Sequence, residues 1–186
     1  EALACHRSSV LGHVPGQPQP SQKRFESLLW SALHAFDATR PVFVESESKK
    51  VGNLRVPDEI MTRMRASPCI DLQLPLPERV ALLLEDYDFF VHDPDHFCRR
   101  LEALTELRGR AVVQQWVEQV RNGQTPAVVL DLLQQHYDPS YTSSIQRNFA
   151  QFAQALPCPL RDRSEAAMTE TARHLVAQCT AGPNAP

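Results

Sequence analysis

Between Ser21 and about residue 92 the chain alternates two patterns: amphipathic stretches with apolar residues three and four apart, and short apolar runs that close on polar residues. Phe25, Leu28, Leu29, Ala32, Leu33 and Phe36 share one face of a helix that Ser21 is placed to cap and Pro41 stops. Val42-Phe43-Val44 then reads as a buried strand ending in Glu45-Ser46-Glu47-Ser48. Pro57-Asp58 opens a short helix to about Ala66, and residues 69 to 74 read as a second strand. Pro77 sits in the first turn of a third helix, with Val80, Leu83, Leu84 and Tyr87 on one face. Helix, strand, helix, strand, helix is the order of a parallel sheet with crossover helices, so the expected fold class is α/β.

Beyond Asp93 the pattern becomes helical, with helices expected at about 94–108, 110–122, 125–136 and 141–155 and no further strand. Asn122-Gly123 and Tyr137-Asp138-Pro139 are the clearest breaks. A last helix, about 163–179, runs into a frayed tail. Three parts are therefore expected: an α/β part over 1–92, a helical module over 93–156, and a C-terminal helix and tail over 157–186. Trp30 and Trp116 fall at core-facing helical positions. Two strands bury too little for a stable doubly wound sheet, and the first residue is Glu1 rather than Met, which predicts further strands upstream.

The composition, 42% hydrophobic and 22% charged, is that of an ordinary globular chain. No apolar run approaches a membrane span and no signal pattern opens the chain, so the expected location is cytoplasmic. The five cysteines, at 5, 69, 98, 158 and 179, are odd in number and scattered, which predicts neither a disulfide framework nor a metal site. A net charge of -3 argues against a chain that coats nucleic acid generally, while leaving room for a local basic patch.

Four segments carry the most chemistry: ACHRSSVLG (4–12), QPQPSQKRF (17–25), VFVESESKKVGN (42–53) and HYDPSYTSSIQR (136–147). In this order and spacing, over about residues 1–150, the chain resembles the C-terminal P-loop domain of the bacterial tRNA 2-selenouridine synthase family. That family's pattern runs His-Arg-Gly-Ser, Gln-Pro-x-x-Ser-Gln, Glu-x-Glu-Ser-[Arg/Lys]-x-[Ile/Val]-Gly and Tyr-Asp-Pro-x-Tyr. The resemblance implies a selenium transferase that replaces sulfur at the wobble 2-thiouridine of tRNA. It works through a geranylated intermediate, with selenophosphate and geranyl diphosphate as co-substrates. The implied partners are the anticodon region of tRNA and an enzyme that supplies selenophosphate.

The family also carries a rhodanese-like cysteine and a Gly-rich Walker loop. Neither G-x-x-x-x-G-K-[ST] nor a rhodanese-type cysteine loop occurs in this chain. The reading is thus a truncated P-loop sheet followed by a helical module, inactive by itself. The missing strand is expected between the strands at 42–46 and 70–74, leaving those two separated or collapsed on each other.

Residue by residue, two readings stand beside each other. Glu45 and Glu47 fall at a strand end and point the same way, where carboxylates of P-loop proteins hold a metal-bound water or orient a nucleophile; a solvated acidic turn is the plainer account. His6 and Arg7 suit a phosphate or diphosphate, or form a surface pair; the family's Gly after the Arg is Ser8 here. Gln19, Ser48 and Lys49 are further candidates for phosphate or substrate. Arg79 could reach a phosphate, or pair with a nearby acid. Lys50, Arg55, Arg63 and Arg65 make a basic cluster that could meet tRNA phosphates or face solvent. Tyr137 and Tyr141 could stack on unpaired bases, or pack a helix connection. A kinase-like P-loop phosphotransferase and a non-catalytic helical RNA-binding module are the rival functions.

Overall fold

A computed structural model describes residues 1–7, 11, 16–46 and 48–181. The chain divides into two compact units, one built from residues 1–69, 149–154 and the segment from 169 onward, the other from 70–148 and 155–168. Among the described residues the architecture is mixed α/β, mostly helical, with two small sheets.

The first unit opens with a 3-10 turn, Ala2–Ala4, followed by helix α1, Gln22–His34. Ser21 caps α1 as the sequence predicts, its side-chain oxygen accepting from the Arg24 N–H. Strands β1, Lys50–Val51, and β2, Leu54–Arg55, then form an antiparallel hairpin with Lys50 opposite Arg55 and Val51 opposite Leu54. Gly52, at φ +61, supplies the positive φ a two-residue hairpin turn requires at its first central position. Helix α2, Asp58–Ala66, completes the unit's core. Ala4, Phe25, Val51, Leu54, Val56 and Met61 are buried together, with Leu3, Leu29, Ile60 and Met64 packed against them. Fully burying an aliphatic or aromatic side chain of this size contributes about 1.5–3 kcal/mol, so this cluster holds the hairpin onto α1 and α2.

Two expectations fail in this unit. Residues 42–46 form no strand: Val42, Phe43 and Val44 are exposed and unpaired to any strand. A three-residue apolar run has the composition of a strand but needs a neighbouring strand to fill its hydrogen bonds, and none lies beside it among the described residues. Trp30 is 64% exposed and stacks on His34 rather than entering the core.

The second unit begins with β3, Ile70–Gln73, close to its expected bounds. Its partner is β4, Leu156–Pro159, paired in parallel from Ile70 opposite Leu156 to Gln73 opposite Pro159. The sequence predicts that the strand at 70–74 stands apart from one at 42–46 or collapses on it, with no strand after residue 93. Instead β3 has a regular parallel partner in β4, and 42–46 is not a strand. Pro157 and Pro159 cannot donate to a ladder, which suits β4 to the edge of a sheet.

Helices α3, Leu76–Asp86, α4, Asp88–His92, α5, Pro94–Glu102, α6, Thr105–Arg108, and α7, Arg110–Arg121, follow. Phe97, Leu101, Leu104, Val113, Trp116 and Val120 are buried on α5 to α7, as the position of Trp116 in the sequence predicts. The break at Asn122-Gly123 is a Schellman ending: the Gly123 N–H bonds to Val120 O and the Gln124 N–H to Gln119 O.

The break expected at Tyr137-Asp138-Pro139 is instead a continuation. Helix α8, Thr125–Leu132, passes through a π turn, Leu133–Tyr137, into α9, Asp138–Asn148. Pro139 has no N–H to return to the preceding turn; the π turn widens the helix there, and the Asp138 N–H bonds to Leu133 O. The last helix, α10, spans Glu165–Ala181.

Candidate functional site

In the first unit the N-terminal segment, the Gln/Pro-rich loop and the hairpin converge, and the side chain that joins them is Gln19. Its Nε2 donates to Ala4 O at 3.1 Å and Val51 O at 3.0 Å, while its Oε1 accepts from the Asn53 N–H at 2.8 Å. Both amide hydrogens are engaged with main chain. The role visible for Gln19, expected as a substrate contact, is to lock three segments together. A Cβ on Gly52 would collide with the Gln19 carboxamide and approach His6 Cδ2 to 2.8 Å, so His6 is seated on the hairpin turn. Cys5, just before it, holds the left-handed region at φ 49, uncommon for a residue with a Cβ.

Gln22 works in the same way at the first residue of α1. Its Nε2 donates to Arg55 O at 2.8 Å and its Oε1 accepts from the Arg55 N–H at 2.9 Å, so the carboxamide pairs with Arg55 as a neighbouring strand would. Nε2 also meets Glu26 Oε1 at 2.8 Å. Sequence reasoning missed these scaffolding roles, although two glutamines three apart around a helix cap are legible as a motif.

Ser48 Oγ donates to Lys50 O at 2.6 Å and accepts from the Lys50 N–H at 3.3 Å, shaping the entry to β1. Lys49 Nζ lies 2.5 Å from Asp58 Oδ1, in the first turn of α2. The hydrogen bond and charge of Lys49 hold the Asp58 carboxyl below its ordinary pKa. Glu45 lies on the exposed loop before the hairpin. With no strand at 42–46, the alternation that would aim it with Glu47 does not exist, and Glu47 itself lies outside the described residues, as does Ser8.

The hairpin carries the unit's most telling electrostatic feature. Val51 and Leu54 turn inward, while Lys50 and Arg55, directly opposite each other, are exposed. Cross-strand partners sit close enough for like charges to cost stability. On the same unit, α2 carries Arg63 and Arg65 in its last turn, and Arg65 Nε is buried with no hydrogen-bond partner among the described residues. A groove of about 400 Å³ beside the hairpin is lined by Gln22, Glu26, Lys49, Arg55 and Asp58 among others. Its two carboxylates, Glu26 and Asp58, balance its two cations, Lys49 and Arg55.

Arg79, Tyr137 and Tyr141 belong to the second unit. Arg79 makes a two-pronged ion pair with Asp138, Nη1 to Oδ2 at 2.9 Å and Nη2 to Oδ1 at 2.5 Å. That hydrogen bonding raises the pKa of the guanidinium further. Of the two roles open to Arg79 in the sequence, the acid pair is the one formed, with an acid 59 residues away. Tyr137 is half-buried and Tyr141 is 44% exposed, their ring centroids 6.4 Å apart and tilted by 39°.

His136, which the sequence left without a partner, is the buried centre of this segment. Its Nδ1 accepts from Arg108 Nε at 2.9 Å, and its carbonyl accepts from Ser140 Oγ at 2.6 Å. Burial, and then the charge of Arg108, push its pKa below the ordinary histidine value.

No group of three or more metal-binding side chains occurs among the described residues. Nor is any described helix long and apolar enough to cross a membrane.

Comparison with known proteins places these features. The chain is 42% identical over 89 residues to the tRNA 2-selenouridine synthase of Cupriavidus pinatubonensis and 37% identical over 89 residues to that of Marinobacter nauticus, covering 47% of this chain and 24% of each relative. It is 40% identical over 90 residues to that of Nitrosomonas europaea, covering 47% of the chain and 23% of the relative. The matched part thus spans about a quarter of the length of these relatives. No solved structure matches the chain. Residues 1–95, which hold the Gln19 lock and the basic hairpin, match the family described as the tRNA 2-selenouridine synthase AAA domain. Over half of its length, therefore, the chain belongs to the tRNA 2-selenouridine synthase family.

Proposed function

We propose that the chain is the tRNA-engaging part of a tRNA-modifying enzyme that replaces sulfur by selenium at a wobble 2-thiouridine, with its first unit contributing phosphate contacts. The observation that carries this reading is the pairing of Lys50 with Arg55 across the hairpin. Two cations held opposite each other lower the stability of a two-residue ladder, and an anion laid along that edge offsets the cost. The motif glutamines support it: Gln22 fixes the Arg55 backbone and Gln19 fixes the turn, so both cations stand on a braced element.

Within this reading the segment 1–95 is part of a P-loop-type α/β domain. His6, beside the hairpin turn, Arg7, which follows it, and Glu45, on the loop before the hairpin, face the co-substrate, whose class is a selenophosphate or a prenyl diphosphate. Arg63 and Arg65 extend the basic edge along α2, and Tyr137 and Tyr141 take unpaired anticodon bases.

The test is a comparison of ligands for the purified chain. An anticodon stem-loop RNA should bind with an affinity that falls steeply as salt rises, because each phosphate contact releases about one counterion. ATP should bind far more weakly. Nucleotide binding insensitive to salt, with no retention of RNA, would sink the proposal in favour of a phosphotransferase.

A further inference from the structure

We propose that Arg108, acting through His136, is the positioning residue that holds Tyr137 and Tyr141 as a stacking platform for unpaired RNA bases. The inference rests on the RNA reading above and deepens it by saying what orients the aromatic pair.

The geometry begins with the π turn. A single π turn inside a helix is rare and is found frequently at functional sites. Here it is braced from two sides. Before Tyr137, His136 is buried and held at Nδ1 by Arg108 Nε, with Arg108 Nη2 also reaching His136 O at 3.5 Å. After it, Asp138 is clamped by both prongs of Arg79. Tyr137 lies between the braces, its ring 4.8 Å from the His136 ring at a steep angle, and Tyr141 follows one turn on. Two rings separated by four residues face the same side of a helix, and Tyr141 presents an exposed face.

Arg108 itself turns its guanidinium inward to a ring nitrogen and a carbonyl rather than outward. Its contribution to RNA binding would therefore pass through geometry and not through charge. The bond also fixes the protonation state: Nδ1 must carry a lone pair to accept from Arg108, so a protonated His136 cannot keep the contact. The groups that meet the ring are Arg108 from α6, at Nδ1, and the ring of Tyr137 beside it, while the neighbouring acids are turned to other partners, Asp138 to Arg79 of α3 and Asp131 to Trp116 of α7. Protonation would set two cations face to face and release the first brace.

The experiment uses the full chain and a fluorescent anticodon stem-loop RNA, titrated at several pH values and salt concentrations. Tyr141→Ala should weaken binding about tenfold, the scale of one lost base–ring stack. Arg108→Gln should weaken it comparably while leaving the slope of affinity against salt unchanged, and Arg108→Lys should recover part of the loss. Wild-type affinity should fall only in acid below the ordinary histidine range, because burial and Arg108 lower the pKa of His136, and this is the reverse of what an exposed histidine gaining charge near RNA would give. His136→Asn, whose Oδ1 still accepts but does not titrate, should abolish that fall, with a thermal melt confirming that it folds.

If Tyr141→Ala weakens binding but Arg108→Gln does not, or the wild-type affinity rises smoothly into acid, the positioning inference is overturned while the RNA reading stands. A lowered salt slope in Arg108→Gln would also overturn it, by making Arg108 a phosphate contact. If Tyr141→Ala binds as the wild type does, or the wild type fails to bind RNA, the reading beneath it fails.

Discussion

The Gln19 carboxamide lies against Gly52 so closely that no side chain fits at residue 52 without displacing it. The contact joins two motif segments more than thirty residues apart and also involves His6. What the sequence offers as three candidate ligand-binding motifs is, in the structure, one braced assembly with its hydrogen bonds mostly directed inward.

Gly52→Ala should therefore destabilise the first unit. The φ of +61 costs an alanine about 1 kcal/mol by itself, and the steric conflict with Gln19 and His6 adds to it. A loss of about 2–4 kcal/mol in denaturant unfolding is expected, and a loss below about 0.5 kcal/mol would contradict the packing described.

Gln19→Ala removes three bonds to main chain and leaves Ala4 O, Val51 O and the Asn53 N–H to find water. An expected cost of about 1–3 kcal/mol follows from unsatisfied polar groups in a half-buried site. Gln19→Glu should do no better, because a carboxylate cannot donate to the two carbonyls. Hydrogen exchange at Asn53 is the local readout: its amide should lose protection in Gln19→Ala and keep it better in Gln19→Glu, whose carboxylate still accepts from the Asn53 N–H.

Asp58→Asn tests the electrostatics of the hairpin edge. Lys49 depresses the Asp58 pKa, so the pair's contribution is present above the unfolded carboxyl value and is lost as pH falls through the folded one, in acid below about 4. Both partners are well exposed, so folding at neutral pH should change little. RNA affinity should rise, since a negative charge is removed and Lys49 is released; an unchanged or lower affinity in a salt titration would argue against phosphate at this edge.

Arg79→Lys keeps the charge but loses the fork that engages both Asp138 oxygens. With both side chains about one-third exposed, a cost of about 1 kcal/mol is expected. Asp138→Asn should cost a similar amount, and the double variant should show that the two losses are not additive.

The structure shows which parts of this arrangement local sequence could carry. Helix α1 was legible because its cap, its spacing and its stop all lie within twenty residues. Val42-Phe43-Val44 was misread because a short apolar run looks the same whether or not a neighbour pairs with it. Strand β4 was missed for the opposite reason: two of its four residues are prolines, and its partner β3 lies more than eighty residues away. The hairpin was overlooked because its strands are two residues long and half charged, although Gly52-Asn53 is a turn signal.

Among the candidate residues, the basic cluster was visible as composition, but not that Lys50 and Arg55 stand opposite each other. The ion pair of Arg79 with an acid was anticipated without its partner. Arg108 and His136 were invisible, since their contact depends on two helices packing and not on spacing along the chain.

The central claim is that the exposed face of the hairpin is kept basic for RNA at the expense of its own stability. The measurement is a paired one on Lys50→Thr: folding free energy, and affinity for an anticodon stem-loop RNA across a range of salt. Removing one of two facing cations should stabilise the chain by about 0.2–1 kcal/mol. The same change should weaken RNA binding and lower the salt slope by about one. Stabilisation with RNA affinity and slope unchanged would contradict the account.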